Sequence, residues 1–440
     1  MVPPPAAPTA LRPLLETLYD AALAAVAPGP AVRAALDRLP PSADRPWILA
    51  LGKASRTMAE AAVRWLAEHG REPAGGLVVA PDAGPAPHPS LQVAAGDHPE
   101  PGPGSLAAAA RLGDIVAGIP AGALVWVLLS GGTTSLVGAP EPGLDPADLR
   151  ELYRLLLGSG LDIAQMNAVR KRASRWGGGK LALALAGRRV RVLVVSDVIG
   201  DDLRAIGSGP CVPDPTPTAE IRALLERAAI WAHLPAAIRQ HLAREQAPPA
   251  DARFAHVETE IIASNRLAIE AAAEHARDLG WTVALDPTPL AGDAAQAGRQ
   301  LAERLLGTPD GIGTPGVVAV CGGETTVTLP PTGAGLGGRC QELALAAAAR
   351  LDGLDGVALL AAGTDGRDGP TDAAGACVDG STWTACRRAG VDPAAALARH
   401  DAYHALAAAG ALVRRGLTGT NVMDVILSAR LAGSPAPPAR

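Results

Sequence analysis

Apolar positions along the chain follow two rhythms. From about residue 9 to 26, Leu11, Leu14, Leu15, Leu18, Ala22 and Leu23 recur at helical spacing behind Thr9, which predicts an amphipathic opening helix capped by Thr9. After it come short apolar runs that end in glycine-containing turns, at 47–51, 76–80, 124–129, 190–195, 258–263, 317–321 and 357–360. Helical text separates most of them. Near-continuous apolar strands that alternate with helices predict an α/β protein with parallel sheets covered on both faces, the doubly wound class.

A chain of 440 residues exceeds what one hydrophobic core usually supports, so two Rossmann-like lobes with an active-site cleft between them are expected. The proline-rich stretch PCVPDPTPT at 210–218 reads as an exposed connector, and helical text resumes at Glu220. That helix can belong to either lobe, so the boundary is placed near residue 235, giving domains 1–235 and 236–440. Segment 81–103 reads as loop and 433–440 as a frayed tail. ALVWVLLSGGTTSL, ending at Leu136, echoes GVVAVCGGETTVTL, ending at Leu329. Each is a strand, a Gly-Gly turn and threonines: either a shared turn design or generic strand-turn chemistry.

Composition narrows the partners. Aromatic residues make up only 2 %, so packing relies on Leu, Val and Ala, and a formal net charge of −5 gives no footprint for nucleic acid or an anionic membrane. Small molecules are the expected partners. The five cysteines form no CxxC pair, and their odd number predicts buried reduced thiols rather than disulfides or a structural zinc site. No apolar run approaches the ~20 residues of a membrane helix. The opening MVPPPAAPTALRP has no basic region ahead of an apolar stretch, and Glu16 and Asp20 interrupt the helix after it, so a cytoplasmic protein is expected.

Candidate chemistry sits at strand ends. In LGKAS, Gly52, Lys53, Ala54 and Ser55 join a strand to a helix, where amides and a lysine charge suit an anion; without a Walker pattern, Lys53 alone reads equally as a surface residue. In LLSGGTTSL, Ser130, Gly131 and Gly132 followed by hydroxyl residues suit phosphate or carboxylate oxygens. A nucleophilic Ser130 is the sharper alternative, but the sequence is not GxSxG. NAVRKRASRWGGGKLA gathers Asn167, Arg170, Lys171, Arg172, Arg175 and Lys180, either a counter-charge for a triphosphate or a solvated helix face; its triple glycine allows a ligand or an opposing backbone to come close. VVSDVIGDD delivers Asp197, Asp201 and Asp202 to a sheet edge, where they can hold Mg²⁺ or cap a turn. Further on, Glu324 follows Gly322 and Gly323, and Arg339 stands between a glycine pair and a helix start, placed to grip a carboxylate or phosphoryl group; Glu342 reads as support for that helix. GTDGRDGPTDAAGACVDG carries Asp365, Asp368, Asp372 and Asp379, suited to Mg²⁺, to accepting a proton, or simply to building turns.

Taken together, LGKAS, LLSGGTTSL, NAVRKRASRWGGGKLA, VSDVIGDDLRAIGSGPCVPDPT, CGGETTVTL, GGRCQELALA, GTDGRDGPTDAAG and GLTGTNVMDV resemble, in collinear order over about residues 10 to 430, the glycerate 2-kinases with a MOFRL-type C-terminal segment. The resemblance implies two α/β lobes, ATP and Mg²⁺ as cosubstrates, conversion of D-glycerate to 2-phosphoglycerate, and Lys53, Asp197, Arg339 and Asp365 as the functional set. Asp197 and Asp201 are the expected metal ligands. Ser130, Gly131, Gly132, Asn167, Arg170, Lys171, Gly322, Gly323 and Glu324 are the expected substrate and phosphate contacts. Two positions depart from the pattern: Cys340 replaces the usual asparagine, and Thr133 a small residue. As for assembly, a homodimer stands beside the monomer. The competing readings are an NAD(P)H-dependent hydroxypyruvate reductase, which should show GxGxxG and a catalytic histidine, and a noncatalytic sensor of sugar acids or nucleotides.

Overall fold

The computed structural model describes residues 11–40, 42–244, 250–309, 313–330 and 332–434. Thr9 and the tail from 435 lie outside these residues, so the expected cap and most of the expected frayed tail do too. The chain forms two compact units, Pro28–Ile262 and a second made of Ala263–Arg440 with the residues up to Ala27.

The first unit is built on a sheet of β1 (Trp47–Leu51), β2 (Gly75–Ala80), β3 (Leu91–Ala95), β4 (Leu124–Leu129), β5 (Arg189–Val195) and β6 (Val257–Ala263), in the order β3-β2-β1-β4-β5-β6. The pairings β3-β2, β2-β1, β1-β4 and β4-β5 are all parallel. β1, β2 and β4 are buried almost throughout, which explains their uninterrupted apolar text. The order reverses between β1 and β4, the point where open α/β sheets bind ligands at their carboxyl ends. Leu49, Leu77, Val127 and Val192 anchor the main core, while Leu152, Leu156, Ile221 and Leu225 form a smaller helical core beneath segment 144–242.

The second unit has β7 (Thr282–Leu285), β8 (Gly316–Gly323), β9 (Val357–Gly363), β10 (Gly375–Asp379), β11 (Leu412–Val413) and β12 (Asp424–Leu431), ordered β11-β10-β9-β12-β8-β7. Only β7-β8 is parallel in this sheet; β12 runs antiparallel to both neighbours, and β9-β10 and β10-β11 are antiparallel as well. The α/β class is as expected, but this sheet is mixed rather than parallel. The reason is local: no helix lies between β9 and β10, so the chain returns beside β9 in the opposite direction.

Two further expectations are corrected. The division near residue 235 is displaced, because β6 completes the first sheet and keeps the chain in that unit to Ile262. The helix Leu11–Ala25, far away in sequence, belongs to the second unit, where the Tyr19 hydroxyl donates to the Gly363 carbonyl at 2.6 Å. Segment 81–103, read as loop, contains β3, a short run hidden among prolines and glycines. The five cysteines are buried and unpaired. No helix among the described residues is long and apolar enough to cross a membrane.

Candidate functional site

In the first unit the candidate residues lie at the carboxyl ends of β1, β4 and β5. β1 runs into Gly52, Lys53 and Ala54 ahead of the helix Ser55–Glu68. The amides of this turn, expected to face an anion, are already used: Gly52 donates to the Val79 carbonyl (3.2 Å), Lys53 to the Gly131 carbonyl (2.9 Å) and Ala54 to Ser130 Oγ (3.0 Å). Gly52 has φ 120°, and a Cβ on it would stand 2.3 Å from Ser130 Oγ, so glycine is required for this interlock. Ser130, 2 % exposed, also donates its own amide to the Leu51 carbonyl at 3.0 Å. It is a strut between two turns, which removes both the nucleophile and the expected phosphate contact at its side chain. What the first turn presents is the exposed side chain of Lys53.

The next turn is different. The amides of Gly131, Gly132, Thr133 and Thr134 have no hydrogen-bond partner among the described residues, and Gly132 curls the chain with φ 85°. Asp197, one residue past the buried Ser196, lays its carboxylate on this turn: a Cβ on Gly131 would be 1.7 Å from Asp197 Oδ2. A Cβ on Gly132 would be 3.0 Å from Lys53 Cγ and 3.3 Å from His98 Cδ2. Lys53, His98 and Asp197 therefore converge on one glycine turn. Burial raises the Asp197 pKa while the Lys53 charge opposes the rise; burial and Lys53 together lower that of His98. His98 was not singled out from sequence, where it lies in the apparent loop 81–103.

The cation-rich helix Ile163–Ala173 separates into two groups. Lys180 Nζ reaches the carbonyls of Lys171 (3.0 Å), Arg172 (3.2 Å) and Ser174 (2.6 Å) and the Glu141 carboxylate (2.9 Å), closing the helix end. Arg172 donates to the Thr216 carbonyl, and Arg175 lies 4.9 Å from the Trp176 ring centre. These three are structural. Lys171 is buried, and burial lowers its pKa against the pull of Asp214 and Asp202. Arg170 stands 4.9 Å over the Tyr153 ring, and with Asn167, Thr134 and Ser135 it borders a cavity. The triple glycine admits backbone, not ligand: Gly178 and Gly179 donate to the Ser208 and Gly209 carbonyls, both at 2.8 Å.

Magnesium fits the first unit in one way only. Among the described residues no three His, Cys, Asp or Glu side chains gather at metal-ligand spacing, and Asp202 is tied to Arg204 at 3.0 Å. Asp201 sits on left-handed backbone with φ 55°. The donors available are one carboxylate, Asp197, beside an open amide turn, which suits an ion that takes one or two carboxylates and completes its shell with phosphate and water.

In the second unit Arg339 opens the helix Arg339–Leu351. Its Nε and Nη2 donate to Asp424 Oδ2 (2.6 Å) and Oδ1 (3.0 Å), and its Nη1 meets Glu324 Oε1 at 2.7 Å. The planar fork expected to be open to a ligand is thus engaged by Asp424, a residue the sequence reading did not single out. Asp424 is 3 % exposed and follows Met423, which has φ 69°, a strained value for a non-glycine residue. That backbone is over-determined: Thr364 donates to the Met423 carbonyl through both its amide (3.0 Å) and Oγ1 (2.7 Å), and Asn265 Nδ2 donates to the carbonyls of Val422 (2.8 Å) and Asp424 (2.9 Å). Asp365 is adjacent, since a Cβ on Gly363 would lie 3.2 Å from Asp365 Oδ1 and 3.4 Å from Asp424 Oδ1.

The remaining acids separate by task. Asp368 accepts the amides of Cys340 (3.2 Å) and Gln341 (2.8 Å), satisfying the N-terminus of the Arg339 helix, and burial pushes its pKa up to about 7. Gly338 makes room for it, since a Cβ there would lie 2.2 Å from Asp368 Cγ. Asp372 accepts from the Tyr403 hydroxyl and pairs with Arg414, a long-range surface tie, while Asp379 accepts from Ser381 and Thr382 and serves a turn. Glu342, expected to support the helix start, pairs instead with His400 at 2.9 Å. Gly322 and Gly323 form no turn: they end β8, and a Cβ on them would strike Asn265 Oδ1 (2.2 Å) or the Leu290 carbonyl oxygen (2.2 Å). Their expected phosphate role gives way to close packing. The structure thus brings Lys53 and Asp197 together in one unit, and Arg339, Asp365 and Glu324 together in the other.

Residues 14–243 match the family described as Domain of unknown function (DUF4147), and residues 317–424 match the MOFRL family. Glycerate 2-kinase of Pyrococcus horikoshii is 39 % identical over 77 % of this chain and 78 % of its own length. A protein of Agrobacterium vitis named putative hydroxypyruvate reductase is 37 % identical over 94 % of this chain and 93 % of its own. The crystal structure of glycerate kinase from Thermotoga maritima superimposes with a TM-score of 0.88 at 34 % identity, covering 96 % of this chain and all of that one (100 %).

Proposed function

Because this chain belongs to the glycerate kinase family that joins a DUF4147 segment to a MOFRL segment, we propose that it transfers the γ-phosphoryl group of ATP to the 2-hydroxyl of D-glycerate, giving 2-phosphoglycerate and ADP. The enzyme is a phosphotransferase with an alcohol acceptor, and a cytoplasmic location and small-molecule partners go with that reading. The observation that carries it is the convergence of Lys53, Asp197 and His98 on a turn whose amides are unclaimed.

Phosphoryl transfer needs little covalent help and depends on placing and neutralising charge. The glycerate hydroxyl oxygen forms a bond to the γ-phosphorus as the bond to the β,γ-bridging oxygen breaks, and the hydroxyl proton passes to a carboxylate. In this proposal the amides of Gly131 to Thr134 and the Lys53 ammonium hold phosphate oxygens, and Asp197 is the residue that would hold Mg²⁺. A bound Mg²⁺ supplies neutralisation of phosphate charge. Asp365 is the candidate proton acceptor. Arg339, oriented by Asp424, remains the candidate for the glycerate carboxylate through whatever part of its fork Glu324 yields.

The reductase name carried by some relatives finds less support. Amides at the end of β1 are where a doubly wound sheet receives a dinucleotide pyrophosphate, and here they bond to Val79, Gly131 and Ser130. Incubating the full chain with ATP, Mg²⁺ and D-glycerate, and feeding the product directly to enolase, tests both donor and position, since enolase accepts the 2-phosphate without a mutase. ADP release with immediate enolase turnover is expected. NADH oxidation by hydroxypyruvate with no ADP release overturns the proposal.

A further inference from the structure

The geometry points to a nucleoside subsite in the first unit: the cavity between Thr134–Ser135, just past the Gly131–Gly132 turn, and the helix Pro146–Leu157 receives the base and ribose of ATP. This rests on the kinase reading and deepens it. The cavity measures about 560 Å³, far more than a three-carbon acid needs, and within the ~300–1,000 Å³ typical of sites for drug-sized ligands. Leu149, Tyr153 and Leu157 give it an apolar wall, and Pro99 and Pro101 stiffen the other side. Glycerate has no apolar face to match such a wall; a purine does.

Two independent features agree. Leu157 is 65 % exposed, one of the few large apolar side chains on the surface, and it lies on the cavity rim. Arg170 is held over the Tyr153 ring with its Nε buried and without a hydrogen-bond partner among the described residues, a donor left for a ligand acceptor. Chain continuity fixes the direction of the nucleotide. Thr134 and Ser135 line the cavity and follow directly on the unclaimed amides of the turn, so a base seated on the Leu149–Leu157 wall extends its phosphates toward Lys53. Arg150, exposed on that wall, adds positive charge, while Arg154 beside it is tied to Glu151 at 2.6 Å. Glu100 supplies an acceptor for the exocyclic amine or the ribose hydroxyls, and Asn167 Oδ1, which accepts from Arg170 Nη1 at 3.4 Å, holds that arginine in place.

The test is Leu157→Asp in the full chain, which leaves the fold intact because the side chain is already in water. Steady-state kinetics should show the KM for ATP raised about tenfold, the scale of one lost apolar contact, with the KM for D-glycerate within a factor of two. Leu279→Asp, the same change at an exposed leucine (46 %) that does not line the cavity, should leave both KM values near wild type. An unchanged KM for ATP, or a rise confined to the KM for glycerate, overturns the subsite while leaving the kinase reading standing. If the wild-type chain releases no ADP at all, the kinase reading fails. Calorimetric titration with ATP then still reads the cavity, since weaker binding to Leu157→Asp than to wild type supports it and equal binding sinks it.

Discussion

Asp368 offers a quantitative check on how the Arg339 helix is held. Its carboxylate, 3 % exposed, takes the first amides of that helix, and burial moves its pKa from the ordinary 3.8 to about 7. Asp424 nearby adds to the rise, whereas the two amides and Arg339 oppose it. Between pH 4 and 7 the folded protein keeps a proton that the unfolded chain releases, so stability falls as pH rises through this window and levels off above it. A shift of about three units corresponds to roughly 4 kcal/mol. In Asp368→Asn that slope disappears, while a pH-independent cost of about 1–3 kcal/mol remains because one helix amide now faces an NH2 group. Urea unfolding of both proteins at half-unit steps from pH 4.5 to 8, followed by intrinsic tryptophan fluorescence, measures the difference. Wild type should lose stability relative to Asp368→Asn as pH rises to 7. A difference that is flat within about 0.5 kcal/mol, below the scale of one ordinary hydrogen bond, or that runs the other way, refutes the reasoning.

Three other outcomes follow from the same geometry. Lys53→Ala should fold normally, since the side chain is exposed, yet lower kcat by roughly 10² to 10³ and move the Asp197 titration to higher pH, because Lys53 is what opposes its rise; a pH–rate profile reads both. Gly131→Ala puts a methyl group where Asp197 Oδ2 now lies, so kcat should fall by about 10² or more with little change in Tm, and a fully active variant would show that Asp197 does not work from that position. Asp424→Asn removes the charge that Arg339 grips at 2.6 and 3.0 Å; about 2 kcal/mol of stability should go, discounted from the ~3–5 of a fully buried pair because Arg339 is a third exposed (34 %) and keeps Glu324, and kcat should drop sharply, as thermal melts and the coupled assay would report.

How far these features can be read from sequence depends on whether they are local. The strand cores 47–51 and 124–129 coincide with β1 and β4, because strands buried on both faces leave continuous apolar text bounded by glycine. β12 was missed, and so was the mixed direction of the second sheet; strand direction depends on which segments pair, and nothing in DVILSARL states its partners. Lys53 and Asp197 were legible as chemistry-bearing residues at strand ends. The partners that orient the other pair were not: Asp424 meets Arg339 across 85 positions, and its presentation depends on a left-handed Met423, for which the sequence has no glycine to signal it. The basic run misled in the opposite way. Lys180, Arg172 and Arg175 look like a site in one dimension, and in three they satisfy carbonyls and an aromatic ring.

The internal echo makes the same point through two glycine pairs. SGGTT after β4 and CGGETT at the end of β8 are similar in sequence, and a Gly-Gly pair alone permits either an open turn or a tightly packed strand. What decides is the neighbour. At Gly322–Gly323 the segment Leu290–Asp293 runs alongside: Leu290 donates to Gly322, Glu324 donates back to Leu290, and Thr326 donates to Gly292, so these backbone groups are consumed, with Gly323 at φ 147°, a value that favours glycine. At Gly131–Gly132 the neighbouring Gly52–Ala54 turn takes only the Gly131 carbonyl, through the Lys53 amide at 2.9 Å; the other neighbours are a carboxylate, a lysine stem and a histidine ring, and the amides stay unclaimed. A second strand laid against Gly131 would have made it another piece of sheet, so the capacity for phosphate lies in what the fold withholds from this turn rather than in the glycines themselves.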